Sequence, residues 1–118
     1  ADGVFLYDAP SHSLKPVIKD DIRALTGKQD YVASAPLNLL YVADYAKTEK
    51  SAPDQQAIWA AANAAFSAEN VYLFCASFGL AAVVRAYFDA APLEKIMKLR
   101  PEQHIVLAQT VGFLAEKK

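Results

Sequence analysis

Hydrophobic and polar positions change period several times along this chain, and each change marks the edge of an element. Residues 4–7 are aromatic and β-branched, and residues 14–18 resume that character after the turn-forming run Asp8-Ala9-Pro10-Ser11-His12-Ser13, which predicts a β-hairpin. Residues 19–25 place Ile22 and Leu25 among charges and close on Thr26-Gly27, the pattern of a short amphipathic helix with a glycine C-cap. Residues 36–45 are almost continuously apolar between a proline and an acidic turn, as expected for a central strand covered on both faces. A polar loop over 47–52 leads into Ser51-Ala52-Pro53-Asp54, with a serine cap, proline in the first turn and an early acid.

The helix predicted over 53–78 is the most informative element. Ile58, Ala61, Ala65, Ala68, Tyr72 and Cys75 trace one stripe, and Trp59, Ala62, Phe66, Leu73 and Ser77 a second, so apolar residues cover most of its circumference. One sheet cannot cover both stripes, and the expected cover for the second is another subunit. Gly79 is its C-cap. Residues 80–86 read as a second buried strand, Asp89 as the N-cap of a helix to about residue 99, and 103–113 as a third strand. The tail Glu116-Lys117-Lys118 is expected to fray. The order ββαβαβαβ predicts an α+β domain, with an antiparallel or mixed sheet flanked by helices and a dimer formed through the helix over 53–78.

Composition narrows the function classes. The 118 residues are 54% hydrophobic and 21% charged with a formal net charge of -1, which suits one globular domain over residues 1–118. Without a basic excess to neutralise phosphates, nucleic acid is not an expected partner. A single cysteine and two histidines leave neither an internal disulfide nor a structural zinc site. The four glycines cannot form a P-loop or a G-x-G-x-x-G turn. No apolar run is long enough for a membrane span and the start lacks a signal-peptide pattern, so the expectation is a cytoplasmic protein. The chain opens on Ala1, which raises the expectation of a longer natural product.

Few residues suggest chemistry by themselves. Cys75 lies within the long helix with no neighbouring base and reads as inert packing, while His12 and His104 fall at a turn and a strand start. The aspartates are scattered, several at turns or caps, and form no carboxylate pair. Arg85 stands out as a cation at the end of an apolar strand, where it must reach solvent, pair with an aspartate or meet an anionic ligand. Tyr87 and Phe88 beside it read as core or as a stacking surface.

The run from Asn70-Val71-Tyr72-Leu73 through Gly79-Leu80, then Phe88-Asp89, Leu99-Arg100-Pro101 and Val111-Gly112, resembles the carboxyl-terminal half of the nitroreductase family. Within it, the branch containing azoline-oxidising dehydrogenases is the nearest in look, and Ala35-Pro36-Leu37-Asn38-Leu39 fits the family's preceding strand. The resemblance implies an FMN-dependent homodimer of α+β fold whose long central helix lies at the subunit interface. It further implies an oxidoreductase that moves hydride or electrons from NAD(P)H or a similar donor to a nitro, quinone or azoline-like small molecule. By position, Val84, Arg85, Ala86 and Tyr87 are the implied flavin-contacting residues, with a backbone N–H near flavin N5. The family's Arg- and Ser-containing phosphate segment has no counterpart upstream of Val4, so the chain is expected to be the carboxyl-terminal part of such a domain, partnered by an amino-terminal segment of the same gene product. A cofactor-free dimeric interaction module that has lost the phosphate site is the alternative.

Overall fold

A computed structural model describes residues 2–48 and 50–116. Lys117 and Lys118 of the expected frayed tail, and position 49 of the polar loop, lie outside the described residues. The strands β1 (Val4–Asp8) and β2 (Ser13–Ile18) form an antiparallel hairpin. After them come β3 (Leu37–Asp44), the helix α1 (Pro53–Phe78), β4 (Leu80–Arg85), the helix α2 (Ala90–Ile96) and β5 (Gln103–Phe113). The second sheet is antiparallel in the order β3-β5-β4.

That order corrects one expectation. The apolar run at 36–45 becomes an edge strand, and the eleven-residue β5 takes the centre. Residue pattern reports which faces are covered, whereas centrality depends on which edges are paired, and those are independent properties. The run at 80–86 likewise forms the other edge, mostly half-buried, with only Arg85 fully buried.

Three local expectations also shift. The segment over 19–25 forms only a 3-10 turn at Arg23–Leu25, capped by Thr26 rather than Gly27. Ala52, not Ser51, occupies the N-cap of α1 and gives no side-chain cap, although Pro53 and Asp54 stand in the first turn as expected. Asp89 does precede α2, but its carboxylate makes no cap bond and instead meets Lys28 Nζ at 2.8 Å. That helix stops at Ile96, short of residue 99, just before Lys98 adopts a positive φ of 54°.

Side chains alternate along a strand, so Gln109 and Thr110 on β5 point to opposite faces of the sheet. The Gln109 amide donates to the Ala68 carbonyl at 3.1 Å, which places α1 over its face. Thr110 lies with Asn38 and Arg85, covered by the loop over 26–36. Beyond it Ile22, Leu93 and Ile105 form an apolar cluster that also receives Val4 and Ile18 from the base of the hairpin.

Helix α1 runs 26 residues and stops where Gly79 turns left-handed at φ 68°, its N–H bonding the Cys75 carbonyl. Its buried residues are Ala64, Ala68 and Cys75, small side chains spaced to share one face. Of the first expected stripe, Ala68, Tyr72 and Cys75 turn inward while Ile58, Ala61 and Ala65 are exposed. Ile58, Trp59, Phe66, Leu73, Phe74 and Phe78 are each 55–71% exposed, so a single copy covers only one side of this helix. Among the described residues no helix is long and apolar enough to cross a membrane.

Candidate functional site at the end of strand β4

Strand β4 is an edge strand, so alternate backbone groups face away from β5. Val84 shows which ones: its N–H goes to the Tyr72 hydroxyl of α1 at 2.5 Å. Ala86, two residues on, directs its own N–H toward the same open side by that alternation. Beyond it the chain bends, with Phe88 N–H bonding the Ala86 carbonyl at 3.1 Å before α2 begins. Ala86 and Tyr87 are exposed, Val84 is half-buried on the α1 side, and Arg85 is buried on the opposite face. The four residues singled out by sequence therefore stand together, but they present backbone to the open edge and their one charge inward.

Arg85 fits neither an aspartate pair nor solvent. It is 6% exposed, and every partner recorded for its guanidinium is a neutral oxygen. Its Nε donates to Thr110 Oγ1 at 2.8 Å and Nη2 to Asn38 Oδ1 at 2.8 Å, while Thr26 accepts through its carbonyl and, at 3.2 Å, its hydroxyl. Burial pulls its pKa below the ordinary arginine value, an effect that Tyr31 partly offsets. Gly27 is needed beside it because a Cβ there would overlap Nη1 of the guanidinium. That close approach, not a helix cap, explains the glycine. Gln29 Oε1, near the same point, is buried without a hydrogen-bond partner among the described residues.

A second tie closes over the loop. The Lys28 N–H donates to the Tyr87 carbonyl at 3.0 Å, and its ammonium lies 5.2 Å from the Tyr87 ring centre while it pairs with Asp89. Residues 26–28 thus run alongside 85–87 and hold the strand end in place. On the same face an apolar groove of about 540 Å³ opens between Tyr31 and Pro36 on one side and Ala81, Val83 and Phe113 on the other.

The remaining candidates do not gather here. His12 sits at the hairpin turn, its Nδ1 sharing a hydrogen bond with the Tyr7 hydroxyl at 3.0 Å. His104 stands at the start of β5, 3.7 Å from Glu94 and against the Tyr45 ring. Cys75 is 2% exposed on the inward side of α1, as a structural thiol is. Residue-by-residue reasoning missed Tyr72, Thr26, Asn38 and Thr110, yet one signal was present: Gln109-Thr110 interrupts the apolar run that starts at Ile105, and buried polar residues require partners.

The model of the Nitroreductase family matches residues 5–113. The chain belongs to the nitroreductase family. A Methanocaldococcus jannaschii protein named as a candidate nitroreductase is 29% identical over a match of 116 residues that covers 94% of this chain and 57% of that protein. The crystal structure of a candidate nitroreductase from Ralstonia eutropha superposes with a TM-score of 0.90 at 38% identity, covering 98% of this chain and 55% of the other. The Escherichia coli microcin synthetase McbBCD complex, solved with truncated pro-MccB17 bound, contains a chain of the same fold: TM-score 0.83, 19% identity, 98% of this chain and 46% of that one. This nitroreductase chain accordingly spans about half the length of the relatives it matches. Its antiparallel sheet, flanking helices and long central helix are those of the nitroreductase fold.

Proposed function

We propose that this chain is the carboxyl-terminal, flavin-facing part of an FMN-dependent oxidoreductase domain. It passes hydride or electrons from NAD(P)H or a similar donor to a nitro, quinone or azoline-like small molecule. Family membership supports a general oxidoreductase role, and the family generally uses flavin. The observation that carries the reading is the Val84 N–H turned away from β5, since strand alternation then sends the N–H of Ala86, one residue past the end of β4 and at the position where the family presents a donor to the flavin ring, to the same open side.

The donor set suits such a ring. A flat heteroaromatic ring with acceptor atoms along one edge takes a hydrogen bond from Ala86, and the exposed Tyr87 offers a surface beside it. The buried guanidinium of Arg85, without a carboxylate among its bonded partners, provides positive charge behind the same segment, which favours a ring that gains negative charge on reduction. Bound flavin supplies the two-electron chemistry, so a seat, a donor and nearby charge suffice in place of an acid–base triad. Val84 and Arg85 act through backbone position and field, and Ala86 and Tyr87 through contact.

The uncovered side of α1 supports a homodimer. Six large apolar side chains in the open on one helix are costly in water, and a second copy lays the same stripe against them. Phe66→Glu is expected to convert a sedimenting dimer into a monomer.

FMN titration of the purified protein, followed by absorbance and flavin fluorescence, tests the flavin reading. Ala86→Pro deletes the donor and is expected to weaken FMN binding by about tenfold. A folded protein that binds no added FMN would favour the cofactor-free dimeric module, a reading to which the neutral oxygen cage around Arg85 also conforms.

A further inference from the structure

Helix α1 touches the open edge of β4 through the Tyr72 hydroxyl, which accepts the Val84 N–H at 2.5 Å. Accepting that bond uses a lone pair and leaves the phenolic proton free to be donated. Among the described residues no acceptor takes it. Tyr72 is only half-buried, so its side chain is not enclosed between helix and sheet. Tyr41 offers the contrast on the same helix–sheet interface: its hydroxyl donates to Gln109 Oε1 at 2.5 Å, and its proton is therefore engaged inside the protein.

The placement is specific. Val84 and Ala86 are separated by two residues of extended chain, about 7 Å, and present their N–H groups to the same side. At Val84 the Tyr72 oxygen occupies the place that a ligand acceptor takes at Ala86. A flat ring seated on the Ala86 N–H thus has a phenolic O–H beside it, aligned along one edge. We propose that Tyr72 is a further cofactor-binding residue, whose O–H donates to an acceptor atom on the flavin ring next to the one bound by Ala86. This rests on the flavin reading above.

Tyr72→Phe removes the hydroxyl and leaves the Val84 N–H without its partner, so a stability loss alone proves nothing. Tyr41→Phe serves as the matched control, since it deletes a comparable hydroxyl from the same interface away from the edge. With FMN as the probe, Tyr72→Phe is expected to weaken binding by about tenfold and shift the bound flavin's absorption band, while Tyr41→Phe leaves both as in the parent. In parent protein labelled with 3-fluorotyrosine, the Tyr72 fluorine resonance is expected to move on adding FMN and the Tyr41 resonance to stay, a readout that needs no variant to fold. Equal FMN affinity and spectrum in parent and Tyr72→Phe, or an unmoved Tyr72 resonance at saturating FMN, overturns the assignment of Tyr72 and leaves the flavin reading intact. No FMN binding by the folded parent overturns both.

Discussion

Each face of the three-stranded sheet buries a polar side chain, and the two are satisfied in opposite styles. On the α1 face Gln109 is fully buried and neutral, accepting from Tyr41 and donating to Ala68, with small residues of the helix packed close around it. On the other face Arg85 carries a full charge into the protein and divides it among Asn38 of β3, Thr110 of β5 and Thr26 of the covering loop. Neutral amides satisfied by a helix make a cheap interior. A guanidinium without a bonded carboxylate is an expensive one. The costly face is also the one that holds the segment carrying the candidate site.

Substitutions can break that contrast, and the largest effect is expected on the loop-covered face. Leu93→Ala, at a side chain only 1% exposed, should cost about 3 kcal/mol in chemical denaturation by opening a cavity beside Ile22 and Ile105. Arg85→Met should cost about 2 kcal/mol, because relief from burying the charge only partly offsets the carbonyl stranded on Thr26, while Asn38 keeps its bond from Thr110. Amide exchange at Lys28 should rise with it, since the Lys28 N–H rests on the strand end that Arg85 holds. Gln109→Leu should cost about 1 kcal/mol, the Tyr41 hydroxyl losing its acceptor while the helix packing remains. If Gln109→Leu proved costlier than Arg85→Met, the asymmetry between the faces would be wrong.

Acid gives the smallest and most selective test. Arg23 hydrogen bonds hold the Asp21 carboxyl down at about 2, and the same guanidinium reaches the Ala35 carbonyl at 2.7 Å. The folded pKa lies below the ordinary aspartate value of 3.8, so this tie is present above that pH and is lost as pH falls toward about 2. No group of the Gln109–Tyr41–Ala68 network titrates in that window. Exchange measured on lowering the pH from 5 to about 2.5 should therefore rise around Ala35 before it rises along the inward side of α1.

Much of the fold was legible from residue types, for reasons that are local. Pro53 and Gly79 fix the ends of α1 because one lacks an N–H that the first turn does not need and the other accepts a left-handed φ. The hairpin and β5 follow from turn chemistry and β-branched runs. The family resemblance, carried by short pieces in order, matched the family found over residues 5–113. Which side of α1 is covered was not legible, since a helix apolar all round gives no direction to its own burial.

Sequence alone therefore determined the hairpin, the later strands, the two helices after residue 52 and their order, because capping, turns and periodicity act over a few residues. Tertiary structure alone decided that β5 is central, that Gly27 makes room for a guanidinium, and that Thr26, Asn38 and Thr110 share it. Those groups stand 25, 47 and 59 positions from Arg85 in the chain. A buried charge requires oxygens around it in three dimensions, and sequence order places no such limit on where they come from.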